Sequence, residues 1–109
     1  MAEIDDLIIK KVKMFLLKLR ESGVSVDSAY LFGSYAKRRF SEFSDIDVAV
    51  ISSDFSEDRF EEGIRLAMIA GQIDNRIEPV PFTPSSFVDD NPLAWEIKRD
   101  GIQIDDIEI

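Results

Sequence analysis

Between Leu31 and Val50 the chain reads LFGSYAKRRFSEFSDIDVAV, and several of these side chains are of types that handle phosphate. Asp45 and Asp47 stand one residue apart at the start of a run rich in Ile and Val. Alternate side chains of a strand share a face, so both carboxylates would point one way, with Ile46 and Val48 on the other side. Two adjacent carboxylates raise each other's pKa, and folding gains nothing from that unless a cation neutralises them. Mg²⁺ suits such a pair, because it takes one or two carboxylates together with phosphate oxygens and water. Upstream, Gly33 lets backbone approach a ligand closely. Ser34 offers a hydroxyl and, at a helix start, N–H groups for a phosphate. Lys37, Arg38 and Arg39 add cationic phosphate contacts. Alone, an Asp-x-Asp pair reads as solvated carboxylates at a strand entrance. With the Gly-Ser turn and the basic run before it, the set reads as a metal–triphosphate site.

Phosphoryl transfer on two metal ions also wants a third carboxylate to help activate the attacking hydroxyl. Glu78 is the candidate, because it interrupts the extended apolar stretch Arg76-Ile77-Glu78-Pro79-Val80, where a charge needs a reason. Asp74 is the alternative, although Asp74-Asn75 has the character of a turn.

The elements that must position these groups follow from periodicity. Ile4, Leu7, Ile8, Val12, Phe15, Leu16 and Leu19 recur at helical steps, which predicts an amphipathic helix ending near Gly23. Ala29 to Phe32 reads as a buried strand, and Ser34 as the cap of a short helix after it. Asp45 to Ile51 reads as a second strand. Ser56 looks like the N-cap of a helix that groups Phe60, Ile64, Ala67 or Met68, and Gly71 on one face. Arg76 to Phe82 is a third strand, kept to an edge by Pro79 and Pro81. Asn91-Pro92 starts a last helix, Asp100-Gly101 ends it, and Ile102 to Ile107 adds a final short strand. The order αβ(α)βαβαβ implies an α/β (α+β) fold, with helices packed on a small mixed sheet.

Composition limits the chemistry. With 109 residues, a single domain spanning 1–109 is expected. The chain has no Cys and no His, so carboxylates must carry any acid–base or metal chemistry. The lack of Cys fits a reducing cytoplasm. A net charge of −9 argues against a generic duplex-DNA binder. No apolar run approaches a membrane span, and Glu3, Asp5 and Asp6 stand where a signal peptide would be basic. Lys10, Lys11 and Lys13 read as a solvated helix face. Tyr35 and Trp95 read as packing residues. Phe82 and Phe87 suit either a partner surface or core.

Gly33-Ser34, ten residues, then Asp45-Ile46-Asp47 resembles the signature of the DNA polymerase β-like nucleotidyltransferase superfamily. The small size resembles its minimal nucleotidyltransferase branch, whose members often act as antitoxins beside HEPN-domain proteins. The stretches Arg76 to Phe82 and Asn91 to Ile97, the latter followed by Gly101, resemble this branch too, so the likeness covers nearly the whole chain. It implies transfer of AMP from ATP to a hydroxyl, with pyrophosphate released and two Mg²⁺ ions as cofactors. It implies that Gly33 and Ser34 hold the triphosphate, and that Asp45, Asp47 and Glu78 hold metal, Glu78 favouring deprotonation of the acceptor. One departure stands out: Lys37 takes the place of the family's usual Arg, and Arg38 that of the Gly after it. A HEPN ribonuclease toxin is the implied partner and acceptor. Masking of that partner by binding alone, and transfer to a small molecule such as an aminoglycoside, are the competing readings. Apolar helix faces could equally pack on a twin subunit.

Overall fold

The structure is a computed structural model in which residues 6–37, 39–41 and 43–104 are described. The elements are α1 (Asp6–Glu21), β1 (Ser28–Phe32), β2 (Ile46–Ile51), α2 (Arg59–Gly71), β3 (Ile77–Phe82), α3 (Pro92–Asp100) and β4 (Ile102–Gln103). The four strands form one mixed sheet in the order β3-β2-β1-β4. β1 runs antiparallel to both β2 and β4, whereas β2 and β3 are parallel and joined through α2. The α/β architecture expected from the sequence is the one observed.

Strand alternation sends side chains into two cores. Ala29, Leu31, Ile46, Val48, Val50 and Ile77 pack against α1 and α2. Ala49, Ile51 and Phe82 pack on the other face against Ala94 and Ile97 of α3. Phe82 and Phe87 therefore belong to core, 5.1 Å apart edge-on, and form no exposed patch. Trp95 departs from its expected packing role: it is 47% exposed, with the Arg99 guanidinium 4.5 Å above its ring. Tyr35 is buried and stacked on Phe40, as a packing residue should be.

Three further expectations are corrected. Residues 33–37 form a hydrogen-bonded turn, closed by Lys37 N donating to Gly33 O at 3.1 Å, in place of a helix capped by Ser34. The N-cap of α2 is Asp58, whose carboxylate accepts from Glu61 N. Ser56 instead donates its N–H to Glu62 at 2.8 Å. Glu62 is buried together with Leu66 and Ala70 on the inner face of α2. Phe60, Ile64 and Met68 do share a face, but it is the exposed one. Of the last predicted strand, Ile102 and Gln103 pair with β1, and residues beyond 104 lie outside the described part.

β3 is an edge strand with an unusual backbone. Ile46 N donates to Arg76 O and Ser52 N to Phe82 O, so the even-numbered residues of β3 face β2. The odd-numbered ones face outward: Ile77 N is taken by Asp74 O, and Pro79 and Pro81 have no N–H. Among the described residues no helix is long and apolar enough to cross a membrane.

Asp74 ties the layers together. It accepts from Lys11 of α1 at 2.7 Å and from the Arg76 guanidinium at 3.0 Å, with little solvent contact. Lys11 is thus an ion-pair partner where the sequence suggested a solvated face. The hydrogen bond from Arg76, and secondly that from Lys11, hold the Asp74 carboxyl well below the usual carboxylate range. A depressed pKa stabilises the fold above the unfolded value, about pH 4, and that contribution is lost as pH falls below it. We expect Asp74→Asn to cost about 2 kcal/mol at pH 7, measured by urea unfolding, and progressively less below pH 4.

Candidate functional site

Three strands bring the candidate groups to one end of the sheet. Phe32 pairs with Asp47 across β1 and β2, and Asp47 pairs with Glu78 across β2 and β3. The turn after Phe32 begins at Gly33, which has φ of +72°. A side chain there would be doubly excluded. The backbone lies in the left-handed region that glycine alone adopts without cost. A Cβ would also land on Asp47 Oδ2. The Gly-Ser turn and the Asp-x-Asp pair, separated in sequence by ten residues, thus meet at van der Waals distance.

Asp47 is half-buried at this junction. Burial above all, then the negative charge of Glu78 and that of Asp45, push its pKa up to about 6. Asp45 is exposed and sits just before β2, which starts at Ile46, so no ladder pairing fixes its direction. Glu78 is exposed on the edge strand. Asp47 senses the charges of both Glu78 and Asp45. Among the described residues, however, no group of three stands ready-made as a ligand set. Their chemistry still suits a hard divalent cation: all three offer oxygen, and the shared negative charge that raises Asp47 is what such an ion would relieve.

The phosphate-side residues are arranged less simply than the sequence suggests. Ser34 is half-buried in the turn, and its carbonyl accepts from Arg39 N at 2.9 Å. Lys37 reaches across to α3 and pairs with Glu96 at 3.1 Å, with both side chains well exposed. Arg39, with Ala36, Lys37 and Asp100, lines an open cleft of about 420 Å³. Arg38 lies outside the described residues. Lys37 and Arg39 thus lie towards α3, and sequence reasoning missed Glu96, which lies 59 residues from Lys37 and carries no local signal. It also missed Arg76, which Asp74 anchors and which interacts with Tyr35 in the turn. The alternative third carboxylate, Asp74, is occupied by its two cationic partners.

Two variants test this geometry. Gly33→Ala should cost about 2–3 kcal/mol in thermal or urea unfolding and shift the Asp47 carboxyl resonance, since Ala must displace it. Asp47 has a folded pKa above its unfolded value, so its protonated form favours folding below about pH 4, and that contribution is lost as pH rises through 6. Ionised Asp47 is then an uncompensated charge. Asp47→Asn should raise metal-free stability by about 1 kcal/mol at pH 8, by about half of that at pH 5, and change little below pH 3, a modest figure because the site is partly solvated.

The family model described as polymerase beta, nucleotidyltransferase matches residues 5–107. No curated protein matches the chain significantly. Among solved structures, a Sulfolobus solfataricus protein assigned as a nucleotidyltransferase superposes with a TM-score of 0.62 at 15% identity, over 88% of this chain and 78% of that one, a likeness of fold alone. A mutant form of the toxin–antitoxin MntA-HpeT gives 0.62 at 26% identity, over 85% of this chain and 70% of that one. A toxin–antitoxin structure with AMP-PNP gives 0.59 at 27% identity, with the same coverage.

Proposed function

The chain belongs to the polymerase β-type nucleotidyltransferase family, and we propose that it transfers AMP from ATP to a hydroxyl of a partner protein, a HEPN ribonuclease toxin, and so acts as an antitoxin. The observation that carries this reading is the contact of Gly33 with Asp47, in register with Glu78. That arrangement sets a backbone cradle for phosphate beside two of the three candidate metal-holding carboxylates. Similarity to toxin–antitoxin structures, one of them with AMP-PNP, supports the partner and the nucleotide.

In this reading residues 1–109 act as one domain. Asp45, Asp47 and Glu78 would hold Mg²⁺, which would supply charge neutralisation of the triphosphate and polarisation of the α-phosphate. Gly33 and Ser34 seat the phosphates, and Lys37, Arg38 and Arg39 add positive charge at their rim. The acceptor oxygen bonds to the α-phosphorus, the bond from that phosphorus to the bridging oxygen breaks, and pyrophosphate leaves with the electron pair. Glu78, exposed at the edge, favours loss of the acceptor proton.

A second reading, an antitoxin that masks its toxin by binding alone, is favoured by the pairing of Lys37 with Glu96. Calorimetry with a non-hydrolysable ATP analogue separates the two. Wild type should bind only with Mg²⁺, and Asp45→Asn/Asp47→Asn should weaken binding at least about tenfold, or 1.4 kcal/mol. Absence of binding, with and without the partner, would leave masking as the function.

A further inference from the structure

α2 carries two apolar faces. One, formed by Leu66 and Ala70 with Ile69, is packed into the core. The other faces solvent: Phe60 is 79% exposed, Ile64 47% and Met68 70%. Ala67 and Gly71 are exposed as well, and steps of three and four residues set all five within roughly 100° of arc. A stripe of this kind on a surface helix marks an interaction surface.

The stripe leads to the candidate site. Ala67 and Gly71 form one wall of a cleft of about 470 Å³, and Asn75, Ile77, Glu78 and Pro79 form the rest. A protein lying along α2 would therefore have its end beside Glu78, the carboxylate that serves the acceptor hydroxyl in the reading above.

Charge narrows the occupant. The Arg59 guanidinium is turned over the Phe82 ring at 5.3 Å, and Arg65 reaches back to the Ser22 carbonyl at 3.4 Å. Glu62 is turned inward to Ser56 N. Exposed Glu57, Asp58 and Glu61 are left at one end of the stripe and Glu78 at the other. A second copy of the chain, at net charge −9, would set this acidic rim against itself. An anionic lipid surface would be repelled in the same way. Strand addition at β3 is closed, because its outward positions present no free N–H.

We propose that the outer face of α2 is the docking surface for the acceptor protein, which lays an apolar surface flanked by Lys or Arg along Phe60, Ile64 and Met68 and feeds its hydroxyl through the α2–β3 cleft to Glu78. This rests on the transferase reading, and the test separates the two. Phe60→Asp/Met68→Asp changes only solvent-facing side chains, so its melting temperature should match wild type. The variant should bind the ATP analogue with Mg²⁺ within about twofold of wild type, yet modify its acceptor at least about tenfold more slowly. In the full chain expressed in its own cells, a benzophenone side chain in place of Met68 should crosslink to a protein that itself carries an AMP-sized mass, and the yield should fall with salt. Acceptor modification at the wild-type rate in the double variant, or crosslinks from position 68 to a second copy alone, would overturn the docking surface. If wild type neither binds the analogue nor modifies any protein, the transferase reading itself falls, and the docking surface with it.

Discussion

Phe32, Asp47 and Glu78 occupy one row across three strands, and the neighbours of that row have little freedom to be other than they are. A parallel pairing places the Asp47 and Glu78 positions side by side, so two like charges become neighbours at the end of the sheet. The register cannot slip to relieve them. A shift of one residue would carry Val48 and Val50 out of the α1–α2 core and Ala49 and Ile51 out of the α3 core. The turn from β1 then passes so close to Asp47 that only glycine fits. Packing fixes the sheet, the sheet fixes the carboxylates, and the carboxylates fix the residue type at the turn.

The Asp74 clamp shows the opposite use of the same chemistry. Its carboxylate sits between Lys11 and Arg76, and the pairing steadies the connection from α2 into β3, immediately before Glu78. One carboxylate in the neighbourhood is fully answered by cations and is structural. Asp47 is pushed the other way, by burial and by Glu78 and Asp45. The contrast separates the two roles more sharply than position in the sequence does.

Much of this was legible in the chain itself. Strands were signalled by Ile and Val runs, α3 by Asn91-Pro92 and Gly101, and the edge position of β3 by its two prolines; all depend on local rules of backbone and burial. The nearness of Gly33 to Asp47 was legible through the family motif. What escaped depends on partners far away in sequence. α2 has two apolar stripes, and periodicity cannot say which is buried; the hydrogen bond from Ser56 N to Glu62 accompanies the answer. Lys37 was read as a phosphate contact, and nothing local in the sequence signalled its pairing with Glu96 on α3. Trp95 was expected inside, but Arg99 one turn on covers its ring at the surface.

The donor-poor edge of β3 has a consequence for the chain in the crowded cell. Fibril growth requires an incoming strand to find alternating amide and carbonyl groups along an open edge. Here the outward row offers carbonyls only, because Pro79 and Pro81 lack the hydrogen and Asp74 has taken that of Ile77. The edge beside the candidate site can thus remain bare to solvent without acting as a seed for aggregation.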